Sequence, residues 1–264
     1  MNVAEVIRGD GPVILGMPHG GTYVPPDIAV RLNDNGRLLA DTDWHIRKLY
    51  EGLLPSATIV AATFHRYVID ANRDPSGASL YPGQNTTALI PTTDFDNQPI
   101  WKDELNAADI AARRNEFHAP YHQALANEIA RVKAKHGVAI LYDCHSIRSH
   151  IPFLFKGTLP TLNIGTDMGK TCDAKIEQRS FNIAKASGFT HILNGRFRGG
   201  WTTRHYGQPA TGVHAIQMEI TQSDYLDTEA PPFAYSESKS AKLRPHLKAI
   251  LETLERTAKE ITHG

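Results

Sequence analysis

Two histidines stand where apolar runs give way to turns. PVILGM, residues 12–17, leads into Pro18-His19-Gly20-Gly21, and VAILYD, residues 138–143, leads into Cys144-His145-Ser146. The glycines after His19 permit a sharp turn, and a histidine just past the carboxyl end of a strand is where open α/β sheets bind ligands. Side chains alternate across a strand, so Asp143 and His145 share a face and Cys144 points away. A cysteine nucleophile served by its neighbouring histidine is therefore poorly arranged, whereas His145 as a metal ligand oriented by Asp143 fits. The plain alternatives are a solvated turn histidine at 19 and a buried histidine at 145 that bonds a backbone group.

Carboxylates complete the pattern. Asp41-Thr42-Asp43-Trp44-His45 reads as a helix start, where Asp41 is expected to cap free amides and Asp43 to offer an oxygen to a metal. Glu219 lies among apolar residues in HAIQMEI, and a buried carboxylate needs a cation or a polar network; an exposed edge strand is the competing explanation. Two histidines and one carboxylate, with water in the fourth place, make the open site that zinc uses in hydrolysis, and a glutamate beside it takes the proton from that water. His19, Asp43 and His145 are the expected ligands and Glu219 the expected base. His118 and His122, spaced i, i+4, form a rival pair, but no glutamate follows the first histidine and Pro120 lies between them, so they read as structural or surface residues. Arg66, Arg73, Arg148, Arg198 and Arg204 cluster near expected strand ends, and guanidinium forks favour carboxylates, which points to an acidic substrate.

The elements that must carry these groups alternate between short strands and longer helices. PVILGM, ATIVAA (57–62), YVID (67–70), VAILYD and HAIQMEI (214–220) read as strands, several apolar on both faces, as in a sheet covered by helices on each side. Residues 43–54 look helical, and 103–136 carry Phe117, Tyr121, Leu125, Ile129 and Val132 at helical spacing, with a kink expected at Pro120. A last helix shows Leu243, Leu247, Ile250, Leu254 and Ile261 in one stripe. The irregular segment from Asn72 to Ile100 is long enough to be a lid or binding loop, and 195–212 is rich in glycine, arginine and aromatics.

Composition narrows the classes. A chain of 264 residues accommodates one α/β domain, 1–264. Lysine plus arginine equal aspartate plus glutamate at 28 each, which is not the basic footprint of a nucleic-acid binder. No run approaches a membrane span, Gly11 and Pro12 interrupt any signal-peptide core, and Cys144 and Cys172 make no metal-type pair, so free thiols in a cytoplasmic protein are expected. The sequence leaves the oligomeric state open, a monomer being one option.

Taken in order, PHGGTYVPP, LADTDWHIRKLY, HRYVIDANRDPSG, YDCHS and MEI resemble the N-formylglutamate deformylase (N-formylglutamate amidohydrolase) family over nearly the whole chain. The resemblance implies a zinc-carboxypeptidase-like (phosphorylase/hydrolase-like) fold, related to that of the aspartoacylases, with a mixed, mostly parallel eight-stranded-type sheet and one metal at the strand ends. It implies hydrolysis of N-formyl-L-glutamate to glutamate and formate, a step of histidine catabolism. His19, the acid of TDW and the histidine of DCHS match the zinc ligands, the glutamate of MEI the base, and the arginine of ANR a carboxylate binder. The related carboxypeptidases take their second ligand three residues after the first histidine; here that position is Thr22, and Asp43 stands in, with Asp41 its alternative. On this reading Arg66 or zinc steadies the oxyanion, and Asn72, Arg73, Arg204, Arg148 and Arg198 hold the substrate. Another N-acyl amino acid as substrate, and a metal-bearing binding protein for acidic amino-acid derivatives, are the alternatives; the presence of a base argues against the second.

Overall fold

The computed structural model describes residues 2–79 and 83–261. Seven strands form one sheet: β1 (Ala4–Ile7), β2 (Val13–Met17), β3 (Thr58–Ala62), β4 (Ala139–Ile147), β5 (Leu162–Gly165), β6 (His191–Leu193) and β7 (Val213–Thr221), in the order β1-β3-β2-β4-β7-β5-β6. The pairs β2–β3, β2–β4, β4–β7 and β5–β6 are parallel, and β1–β3 and β5–β7 antiparallel. The sheet is thus mixed and mostly parallel, with seven strands among the described residues rather than the eight implied by the resemblance. Strands β2, β4 and β7 are buried along their whole length, as central strands with helices over both faces must be.

Alternation sorts the two layers. Val13, Leu15, Met17, Ile140, Tyr142, Ile216 and Met218 face one core with the helices Ile46–Tyr50, Ala174–Ala186 and Glu237–Ile261. Ile14, Leu141, Val213 and Ala215 face the other, against the helix Ala119–His136. The expected C-terminal stripe is real: Leu243, Leu247, Ile250 and Leu254 have no exposed surface, and each such burial contributes about 1.5–3 kcal/mol.

Three expectations are corrected. Residues 67–70 are not a strand but the end of a turn over 66–68 followed by an irregular stretch, with Val68 N donating to His65 O and Asp70 N to Leu89 O; its apolar character comes from packing under the segment that follows. The helix expected over 43–54 spans only Ile46–Tyr50 and starts after His45, whose φ of 57° is left-handed. Residues 103–136 hold a helix (Ala107–Arg113), a π turn (Arg114–His118) and a second helix (Ala119–His136); the wide turn lies just before Pro120, which has no amide to bond to the preceding turn. Strands β1, β5 and β6 had no reading in the sequence. Of the 72–100 segment, residues 80–82 lie outside the described residues. Among the described residues no helix is long and apolar enough to cross a membrane.

Candidate metal centre and its cleft

The parallel strands β2, β4 and β7 end on one side of the sheet, and the expected residues meet there. His19 follows β2, His145 lies near the end of β4, and Glu219 lies on β7 directly beside His145 in the pairing register. Asp143 and Gln217 are the next matched pair on the same face, two residues earlier on each strand, as alternation requires. Cys144 points into the opposite core, so the pairing of thiol with His145 is excluded by geometry. Asp43 reaches the same point from the loop before Ile46–Tyr50, held by its amide on His19 O (3.1 Å) and by Ser146 N donating to its Oδ2 (3.1 Å).

His19, Asp43 and His145 each aim one donor atom into a common space, all within 4.8 Å of one another and all buried. Asp43 Oδ2 lies 3.4 Å from His145 Nδ1 and 3.9 Å from His19 Nδ1. The far side of each ring meets a carboxylate: His19 Nε2 is 2.7 Å from Asp70 Oδ1, and His145 Nε2 is 3.0 Å from Asp143 Oδ1. A proton held on each Nε2 leaves both Nδ1 lone pairs turned toward Asp43, the tautomer that a metal-binding imidazole needs. Asp43 Oδ1 is buried and has no hydrogen-bond partner among the described residues, an orphan that a cation satisfies. The donors therefore fit one divalent ion.

The surrounding carboxylates dominate the charges of the site. Burial works against a charged His145, yet Asp143 and Asp43 outweigh it and raise its pKa well above the ordinary value. Burial, reinforced by Asp43 and Asp143 and opposed by His145 and Arg66, pushes Glu219 up to about 8. Burial opposes ionisation of Asp70 too, but Arg66 and His19 win and lower its pKa well below the carboxylate range. Arg66 Nη2 donates to Asp70 Oδ2 at 2.7 Å, so Asp70 is an anionic bridge between Arg66 and His19.

A cleft of about 610 Å³, counting its open mouth, holds His19, His145, Glu219, Arg66, Asn72 and Arg73 in its lining. Gln217 also lines it: its Nε2 donates to Glu219 Oε2 (3.1 Å), and its Oε1 accepts from Gly200 N (2.6 Å). Asn72 Oδ1 accepts from Thr202 N at 2.9 Å, and its Nδ2 stands 3.1 Å from His145 Nε2. Position 200 must be glycine, because a Cβ there would lie 2.3 Å from Asn72 Nδ2.

The other sequence candidates stand elsewhere. Arg148 pairs with Asp96 at 2.8 Å, Arg204 Nη1 lies 3.4 Å from Asp167, Arg198 is exposed, and none of the three lines the cleft. Asp41 is not a helix cap: its Oδ2 accepts from Tyr67 Oη (2.8 Å) and Phe95 N (3.0 Å), tying two loops together. Three residues at or beside the cleft escaped the sequence reading, namely Asp70, Gln217 and Arg196. Asp70 carried a signal, a charge ending the apolar run YVID and so in need of a partner; Gln217 carried one as well, two residues from Glu219 on the same strand face.

His118 and His122 are structural, as expected. Their Nε2 atoms donate to Arg73 O (3.0 Å) and Ala71 O (2.7 Å), clamping the backbone on either side of Asn72. Burial lowers the pKa of His122 to about 3, and the neighbouring His118 adds to the effect. The folded pKa lies below the unfolded value, so the unfolded state binds the extra proton first and stability falls as pH drops below about 6.5, levelling off near 3. Over that window the loss from this one residue is roughly 4–5 kcal/mol. Thermal unfolding measured from pH 7 to 3.5 should show the decline, and His122→Gln, less stable at pH 7, should show a shallower one. Equal slopes in the two proteins would remove His122 from the account.

Comparison with known proteins places these features in a family context. A family model described as N-formylglutamate amidohydrolase matches residues 11–226. N-formylglutamate deformylase of Pseudomonas aeruginosa is 43% identical over 251 residues, covering 94% of this chain and 94% of that protein. The Pseudomonas putida protein of the same name is 41% identical, covering 94% of this chain and 93% of its own length. The crystal structure of an N-formylglutamate amidohydrolase from Ralstonia eutropha JMP134 has the same fold, with a TM-score of 0.79 at 24% identity over the whole of both chains.

Proposed function

Because the chain belongs to the N-formylglutamate amidohydrolase family, we propose that it hydrolyses N-formyl-L-glutamate to L-glutamate and formate, using zinc held by His19, Asp43 and His145. The observation that carries this reading is the convergence of those three donor atoms within 4.8 Å beside Glu219, which neighbours His145 in the sheet register. A divalent ion bound there supplies Lewis acidity, lowering the pKa of water and polarising a carbonyl. The same donors accept other divalent ions.

The rest of the chemistry belongs to the chain. Glu219 takes a proton from the attacking water and returns it to the departing amine; burial, which raises its pKa to about 8, favours the protonated form that delivers to the amine, and a cation held by the three donors would favour the ionised form that accepts from water. Gln217 holds Glu219 Oε2, which fixes the direction from which the carboxylate acts. Arg66, fixed on Asp70 and 4.0 Å from Asp43 Oδ1, steadies negative charge that develops on the carbonyl oxygen. Asn72 and Arg73 line the same cleft and hold the substrate, with Arg73 directed at a carboxylate. A formyl group suits a site this buried because it is the smallest acyl group.

Formate release from N-formylglutamate is the decisive assay, run beside N-acetylaspartate and a dipeptide, before chelation, after it and with zinc restored. Release from N-formylglutamate alone, lost on chelation and regained with zinc, is the expected result. Turnover of only the acetylated compound or the peptide would reassign the substrate, and tight binding with no turnover of any would make the protein a binding protein.

A further inference from the structure

We propose that Gln222 and Tyr225 are positioning residues for the metal centre, gripping the backbone on both sides of Asp43 so that its carboxylate stands in place before an ion arrives. The proposal rests on the metal centre of the deformylase reading, but it concerns two residues outside both the ligand group and the cleft lining.

Asp43 belongs to no helix or strand, so a regular hydrogen-bond ladder does not fix it. The carbonyls on either side of it are held instead. Gln222 Nε2 donates to Thr42 O at 2.8 Å, and Tyr225 Oη donates to Trp44 O at 2.8 Å. Both side chains come from the turn that follows β7, the strand of Glu219. The carboxylate is held separately, by Ser146 N on Oδ2, and Ser146 Oγ joins the two grips, 2.7 Å from Tyr225 Oη and 3.4 Å from Gln222 Nε2. A tyrosine hydroxyl has one proton and a carbonyl can only accept, so Tyr225 gives its proton to Trp44 O and the Ser146 hydroxyl donates to Tyr225 Oη. Ser146 Oγ then accepts from Gln222, and every side-chain proton of the three residues that can be donated is used.

Thr42, Asp43, Ser146, Gln222 and Tyr225 are all buried, and a buried network whose donors are satisfied rigidifies and specifies one arrangement. Further along the same loop, the Trp44 ring stacks on Phe233 at 4.8 Å and 11°, and His45 Nε2 lies 3.0 Å from Phe233 O. The carboxylate itself carries the opposite signature: Asp43 Oδ1 has no hydrogen-bond partner among the described residues, although the peptide groups beside it are bonded. A backbone gripped at both neighbours, with a carboxylate oxygen left bare, is the arrangement of a loop that presents that oxygen to a cation. A ligand already in place loses less freedom on binding, and the partners behind a ligand help to set metal affinity.

The test reads zinc affinity by competition with a chelator, on folded protein and without substrate. Tyr225→Phe keeps the ring and removes the grip on Trp44 O; Gln222→Met keeps the length and removes the grip on Thr42 O. Each should weaken zinc binding roughly 10–100-fold. Tyr142→Phe is the control, because it deletes another buried hydroxyl, one bonded to Tyr50 Oη at 3.1 Å, and should leave zinc affinity near that of the unaltered protein. If the Tyr225 and Gln222 variants lose melting temperature but no more affinity than the control, the network is ordinary core packing and the proposal is overturned. A second arm asks whether the effect passes through Asp43: in Asp43→Asn protein the further change Tyr225→Phe should cost less than about threefold, since residues acting through one ligand are not additive. Full additivity overturns the proposal as well. Failure of the unaltered protein to bind zinc removes both the proposal and the metal centre. Zinc binding without formate release sinks the deformylase reading alone, and the affinities then still decide the role of Gln222 and Tyr225.

Discussion

Glu219→Gln should lower kcat for formate release by roughly 10²–10⁴-fold, the range expected when a positioned proton carrier is removed, while metal content and melting temperature stay near those of the unaltered protein. The change is isosteric, and Gln217 Nε2, now bonded to Glu219 Oε2, can donate to the new amide oxygen, so the strand pair β4–β7 keeps its register. Nothing in the ligand group is touched, since His19, Asp43 and His145 supply the donors. What disappears is the only function a neutral amide cannot perform, accepting a proton. Glu219 is also buried, and burial that raises its pKa stabilises the protonated form; the substitution removes that titration as well, so residual activity should lose whatever pH dependence Glu219 imposes. Three measurements on one preparation decide the matter: metal per chain, unfolding temperature and kcat. A Gln variant within tenfold of the parent would dismiss Glu219 as the base.

Much of the site was legible because strand geometry constrains it. His145 and Asp143 had to share a face, Glu219 had to need a partner, and His19 had to emerge at a strand end; period-two alternation and the cost of a buried charge suffice for those inferences. Asp70 was missed for the converse reason. YVID is apolar enough to pass for a strand, and hydrophobicity alone does not separate a buried strand from a turn buried under a loop; only the tertiary fold, with Asp70 N bonded to Leu89 O, distinguishes them. The arginines divide in the same way. Charge and proximity in sequence pointed to Arg204, with Arg148 or Arg198 as further options, but direction is set by loop conformation, and each of these lies away from the cleft while Arg196, two residues from Arg198, lines it. Short strands such as β6 (His191–Leu193) are half-buried along their length and present no run long enough to read.

Asp43→Asn should cost more metal affinity than any other single conservative change here and abolish activity with it. A carboxylate ligand contributes charge as well as an oxygen, and the buried Asp43 Oδ1 has no other partner among the described residues, so the neutral amide keeps the shape and forfeits the attraction. Loss of an outer partner such as Asp70, which orients His19 from behind, is expected to cost about 10–100-fold in affinity; loss of Asp43 should exceed that. Asp41→Asn is the discriminating control, because the two acids are the rival ligands in the same loop. Asp41 accepts from Tyr67 Oη and Phe95 N, bonds that an asparagine oxygen can also accept, and burial already raises its pKa to about 7, so the change to a neutral side chain is mild. Metal titration against a competing chelator should therefore separate the two: near-parental affinity for Asp41→Asn, and affinity reduced by more than roughly 100-fold for Asp43→Asn, beyond the range of an outer-partner loss. Were the order reversed, Asp41 would be the ligand and the loop between β2 and β3 would have to adopt another conformation when metal binds. Were neither variant to change affinity, a centre built on His19 and His145 would need a different third donor, and Glu219, the remaining carboxylate beside His145, would then have to be a ligand rather than a base.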